Sequence, residues 1–206
     1  LNKEIRTLED EFQLVEASIR TSSPGYAALT QPQPLNFKEV QEQVLRGDTI
    51  LLEYALGDDR SYLWMVTRDG LSSYQLQPKR EIEQSANRLY GLFVDFQPIA
   101  GESLEQTTER QRTAAESIPG ETRILSELIL GPLAGKLGNR RLIIIPDGSL
   151  QYIPFQVLND PDSPSGSTQP LVKSHEIVND FSASTLAVLL KEASGRTVAS
   201  KAVAVF

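Results

Sequence analysis

The 206 residues contain no cysteine and a single histidine, His175. Disulfide frameworks, thiolate zinc sites, cysteine nucleophiles and clusters of several histidines are therefore excluded within these residues. Long apolar runs are also missing. Stretches such as Leu142–Ile145 fall far short of the roughly 20 residues that span a bilayer. Nor is there a run of lysine or arginine, and the net charge is −7. A nucleic-acid duplex or an anionic membrane surface would need a basic face, so neither is expected as a partner. Lack of cysteine fits a reducing cytoplasm, and nothing in the sequence asks for a cofactor. The chain opens on Leu1 rather than Met and closes on the apolar run Ala202–Phe206, so both ends read as cut.

What is present is an ordinary globular composition, 40% hydrophobic and 23% charged, enough to bury one sizeable core or two small ones. The first segment places Leu1, Ile5, Leu8, Phe12, Val15 and Ile19 on one helical stripe. It is too short for a sustained coiled coil and reads as a docked or capping helix. Ser22–Gly25 and Gln31–Pro34 bracket a segment that reads as an extended linker. A second helix is expected with Asn36 as N-cap, Glu39 completing a capping box, and Phe37, Val40 and Val44 buried. Gly47 suits its C-terminal stop.

The period then changes to about two. Thr49–Leu56, Ser61–Thr67 and Leu71–Gln77 predict a three-stranded antiparallel meander, with Asp69-Gly70 favouring left-handed hairpin angles. Ile82, Ala86, Leu89, Tyr90 and Phe93 predict a helix. Residues 101–118 are polar and read equally as exposed helix or loop. A further helix is expected from about Thr122 to a break at Gly131-Pro132. Arg140–Ile145 reads as a strand buried on both faces, turned out by Pro146-Asp147-Gly148. A loop at 160–170, a strand at Leu171–Val178, a helix at Ala183–Ala193 capped by Ser182, and a strand at 201–206 complete the reading. The fold class is α/β: an antiparallel meander joined to a mixed sheet flanked by helices.

Signals for chemistry are few. Gly131–Lys136 has one residue too few between its glycines for a phosphate-binding loop, and Leu137 stands where a hydroxyl is needed. The pairs Asp58/Asp59 and Asp160/Asp162 lie in turn sequences, where aspartate bonds its own backbone, and neither pair has a third acidic neighbour. His175, placed by this reading in a strand, has no nucleophile elbow to serve, and a structural role is preferred. Asp147 follows a buried strand, where α/β sheets place sites, yet the preferred reading is a turn carboxylate holding Gly148.

Three groups of residues carry a resemblance. Thr49–Tyr54 with Ser61–Leu71 resembles the β-meander that opens a CHAT domain. Arg140–Leu150 with Ile153-Pro154-Phe155 and Leu158 resembles that family's most distinctive stretch, and Phe181–Leu186 resembles its Ser-Ala-Ser-rich helix start. The resemblance extends over about residues 24–206, leaving 1–23 as a linker or cap to an upstream helical repeat. It implies an incomplete caspase-like (pseudo-caspase) domain, from a bacterial family of cysteine peptidases often joined to tetratricopeptide repeats. It implies a His–Cys dyad beyond Phe206, since His175 is not followed by Gly. Pro146, Asp147, Gly148, Leu150, Pro154 and Phe155 are then structural motif residues, with no catalytic, cofactor or metal residue in the chain. The implied partner is a protein or peptide, and an edge strand at 201–206 would favour self-association.

Overall fold

A computed structural model describes residues 2–22, 33–163 and 169–194. The chain divides into two compact units, Leu45–Asp180 and a smaller one comprising Leu1–Val44 with Phe181–Phe206.

The smaller unit contains helices α1 (Asn2–Ser22), α2 (Phe37–Gln43) and α5 (Ala183–Ser194). Helix α1 forms as expected, but Ile5, Leu8, Phe12 and Val15 of its stripe are exposed rather than docked, and Leu1 lies outside the described residues. Helix α2 starts as its sequence dictates. Asn36 Oδ1 accepts the Glu39 N–H at 3.1 Å, and Glu39 returns a carboxylate to the Asn36 N–H at 2.8 Å. Val40 and Val44 are buried, whereas Phe37, expected inward, is exposed. Ser182 Oγ accepts the Ser184 N–H at the start of α5, as expected for a cap. Helices α2 and α5 pack on each other, and the Leu35 N–H donates to Ser184 Oγ at 3.1 Å.

The larger unit is built on a five-stranded mixed sheet. Its strands are β1 (Thr49–Ala55), β2 (Ser61–Val66), β3 (Leu71–Leu76), β4 (Arg141–Ile145) and β5 (Ile177–Asn179). The order is β3-β2-β1-β4-β5, with the meander antiparallel and β1, β4 and β5 mutually parallel. One face carries Ile50, Leu52, Tyr54, Leu63, Met65, Leu142 and Ile144 into the core. There they meet Ile82, Ala86 and Leu89 of α3 (Lys79–Val94) and Leu125, Ile129 and Leu130 of α4 (Leu104–Leu130). Each such aliphatic side chain contributes roughly 2 kcal/mol by leaving water.

The hairpin between β2 and β3 closes without the left-handed glycine expected at Gly70. Instead the Thr67 N–H donates to the Gly70 carbonyl at 2.9 Å, and Thr67 Oγ1 accepts the Asp69 N–H. At the other turn glycine is needed for space. A Cβ on Gly57 would lie 2.6 Å from the Arg60 carbonyl oxygen.

Two further expectations change. Residues 104–130 form one helix that runs through Pro119 and Gly120. Its start is a capping box between Ser103 and Gln106, and Arg112 pairs with Glu109 and Glu116 along its exposed side. The strand expected at Leu171–Val178 shrinks to Ile177–Asn179. Leu171–Lys173 is a 3-10 turn, and its Leu171 carbonyl takes the Ser174 and His175 N–H groups, which are then lost to a ladder. The strand expected at 201–206 and most of the linker lie outside the described residues.

Candidate functional site

In a parallel sheet the carboxyl ends of the strands are where chemistry is usually placed. Here those ends are the segments after β1, β4 and β5, and the Pro146-Asp147-Gly148 turn lies at their centre. Asp147 is half-buried. Its Oδ2 accepts the Leu56 N–H at 2.7 Å and its Oδ1 accepts the Gly148 N–H at 2.8 Å. One carboxylate thus ties the end of β1 to the exit of β4, while the Asp180 N–H donates to the Ile144 carbonyl beside it at 3.0 Å.

Gly148 has φ +54°, and a Cβ there would lie 2.8 Å from Glu83 Oε1 and 3.2 Å from Leu56 Cδ1. The positive φ favours glycine here, and a Cβ would need only the side-chain ends of Glu83 and Leu56 to shift. Gly148–Tyr152 then forms a 3-10 turn that sends Leu150 and Ile153 into the core. Pro154 opens a second turn, Phe155–Val157. Phe155 is fully buried, 5.7 Å from the Tyr54 ring, whose hydroxyl donates to the Ile129 carbonyl at 3.3 Å. Burial pushes the Tyr54 phenol far above the ordinary tyrosine range. Asp147 thus bonds the backbone on both sides of the turn, and Leu150 and Phe155 anchor it in the core.

The other candidate residues form a second cluster. His175 is not in a strand; its side chain is fully buried between two acceptors. Nδ1 lies 2.7 Å from the Arg140 carbonyl and therefore donates to it, and Nε2 faces Asp160 Oδ2 at 3.5 Å. Asp160 Oδ1 accepts the Asp162 N–H at 2.8 Å. A histidine so enclosed cannot reach a substrate.

The Asp162 carboxylate lies in a cradle of backbone N–H groups, accepting from Gly135 at 2.5 Å, Leu137 at 3.2 Å and Gly138 at 3.0 Å. Gly135 and Gly138 supply the cradle with φ +75° and +56°. The segment dismissed as a phosphate loop does hold an anion, but that anion is the chain's own aspartate. No signal at 131–138 names Asp162 as the occupant; only the fold does. Asp58 and Asp59 are exposed on their turn, separate from this cluster.

One group was not singled out from the sequence. Glu53 lies mid-strand on the sheet face opposite the core, half-buried, beside Trp64 across the β1–β2 ladder and Ile145 across the β1–β4 ladder. Burial raises its carboxyl above the usual range. The signal available was a lone glutamate inside the apolar run Thr49–Ala55.

Comparison with known families places the corner. Residues 120–205 match the CHAT domain family model. The CHAT match takes in β4, the Pro146–Phe155 corner, the His175 cluster, β5 and α5, while the meander lies upstream of it. The five-stranded mixed sheet with flanking helices is in keeping with part of a caspase-like fold, and residues 120–205 are similar to the CHAT domain family. No curated protein matches the chain. Among the described residues no helix is long and apolar enough to cross a membrane.

Proposed function

We propose that the chain is a non-catalytic portion of a CHAT-type, caspase-like cysteine peptidase, with the His–Cys dyad in residues beyond Phe206. The observation that carries this reading is the CHAT match over a region whose only histidine is sealed between Arg140 and Asp160 and whose sequence has no cysteine. In this reading the Pro146–Phe155 corner supports the sheet end at which the dyad would act. The downstream His would activate the Cys, the thiolate would attack a peptide carbonyl, and backbone N–H groups would hold the oxyanion. We further propose that the parent is a bacterial cytoplasmic protein, with α1 leading to tetratricopeptide repeats whose last apolar face the exposed α1 stripe would cover. Protein or peptide partners follow, and an exposed sheet edge would allow self-association.

The test is made on the longer protein that carries these residues. A thiol-reactive peptide chloromethyl ketone should label it, with labelling lost when the downstream Cys is changed to Ala. A downstream sequence without a His-Gly pair and a Cys would overturn the peptidase reading. It would leave the alternative, a non-enzymatic interaction scaffold.

A further inference from the structure

Among the described residues Glu53 is a carboxylate with no hydrogen-bond or ion-pair partner, although it is half-buried in a sheet. An unpaired charge taken partly out of water is costly, and proteins keep such groups mainly where something binds. Its surroundings are specific. Alternation puts Leu51, Glu53 and Ala55 on the sheet face away from the core, and the register aligns them with Val66, Trp64 and Tyr62 of β2. Leu51, Val66, Ile143 and Ile145 are buried on this face, so the carboxylate stands beside an apolar wall. Tyr62 and Trp64, both half-buried, have ring centroids 6.0 Å apart and planes within 11° of parallel. Trp64 is the directly opposed cross-strand neighbour of Glu53.

We propose that Glu53, Trp64 and Tyr62 form a docking site for an arginine side chain presented by a partner protein. The guanidinium would take the Glu53 carboxylate through its paired N–H groups and lie over the indole face. Charge complementarity commits the site to a cation. The aromatic faces, aligned in one direction, favour the planar, weakly hydrated guanidinium over the compact lysine ammonium. The net charge of −7 would draw a basic partner over longer range. This site uses only residues of β1 and β2 and does not depend on the peptidase reading.

Trp64 is the only tryptophan in the chain, so its fluorescence reports on the site directly. The whole chain is titrated with acetyl-Ala-Arg-Ala-amide and with the same peptide carrying citrulline, which keeps the shape and loses the charge. A saturable change in Trp64 emission is expected with arginine, with affinity about tenfold weaker or worse for citrulline and in Glu53→Gln. The lysine peptide should bind more weakly than the arginine one. No saturable change in the wild type, equal affinity in Glu53→Gln, or equal affinity for citrulline would each overturn the proposal. Lysine binding as tight as arginine would overturn the choice of occupant. Far-UV circular dichroism of Glu53→Gln, which replaces a half-buried side chain by its neutral isostere, confirms that the variant compared is folded.

Discussion

The Pro146–Phe155 corner and the Glu53 face lie on the same sheet and treat a carboxylate in opposite ways. At the corner Asp147 accepts two N–H groups, from Leu56 and Gly148, and before the start of β4 Asp162 accepts three from the Gly135–Gly138 loop. These acids replace backbone partners that would otherwise be unsatisfied. Glu53 replaces nothing: it sits half-buried against Trp64 and Ile145 with no donor. A satisfied acid indicates architecture, and an unsatisfied one indicates a surface awaiting a partner.

The contrast can be broken at several points. Phe155→Ala should have the largest effect, a loss of about 3–5 kcal/mol, because a fully buried ring against Tyr54 leaves a cavity the corner cannot close. Urea unfolding followed by circular dichroism measures it. Next, Asp147→Ala should cost about 1–3 kcal/mol by stranding the Leu56 and Gly148 N–H groups, and Gly148→Ala a similar amount through its φ of +54°. The same unfolding midpoints decide this. If either variant matched the wild type, the corner would not be the tie described here. Asp162→Ala should cost about 1 kcal/mol, less than Asp147→Ala, since Gly135 and Gly138 are exposed and water can replace the carboxylate. Hydrogen exchange at those two amides should accelerate in this variant.

Glu53→Gln should have the smallest effect and the opposite sign, a slight rise in Tm at pH 7. Burial raises the Glu53 carboxyl above its ordinary value of 4.5, so the folded state holds this proton more tightly than the unfolded chain. The penalty of the charged form is therefore present above the raised folded value and disappears as pH falls towards 4.5. The Tm advantage of Glu53→Gln over wild type should shrink across that window. An advantage that stayed constant with pH would show that ionisation of Glu53 is not its source.

The legible parts of the fold share one property. The meander was readable because alternation in Thr49–Ala55, Ser61–Val66 and Leu71–Leu76 is local and its turns are short. The α2 capping box was readable because Asn36 and Glu39 are three residues apart. Residues 101–118 defeated the same reasoning. Their helix is held by Ser103, Gln106 and the arginine–glutamate pairs rather than by an apolar stripe. The motif corner was readable as a turn, and Asp147 as the residue holding Gly148, but its bond to Leu56 spans 91 positions.

By itself the sequence determined that no thiol chemistry resides in these residues, that the chain is α/β with an antiparallel meander, and that its second half carries CHAT motifs. Composition and short-range period suffice for such properties because they depend on neighbouring residues. Only the tertiary structure decided which acceptors enclose His175, which anion occupies the Gly135–Gly138 cradle, and which carboxylate has no donor. Those depend on partners such as Arg140, Asp160 and Asp162, brought together by the packing of the core across tens of residues.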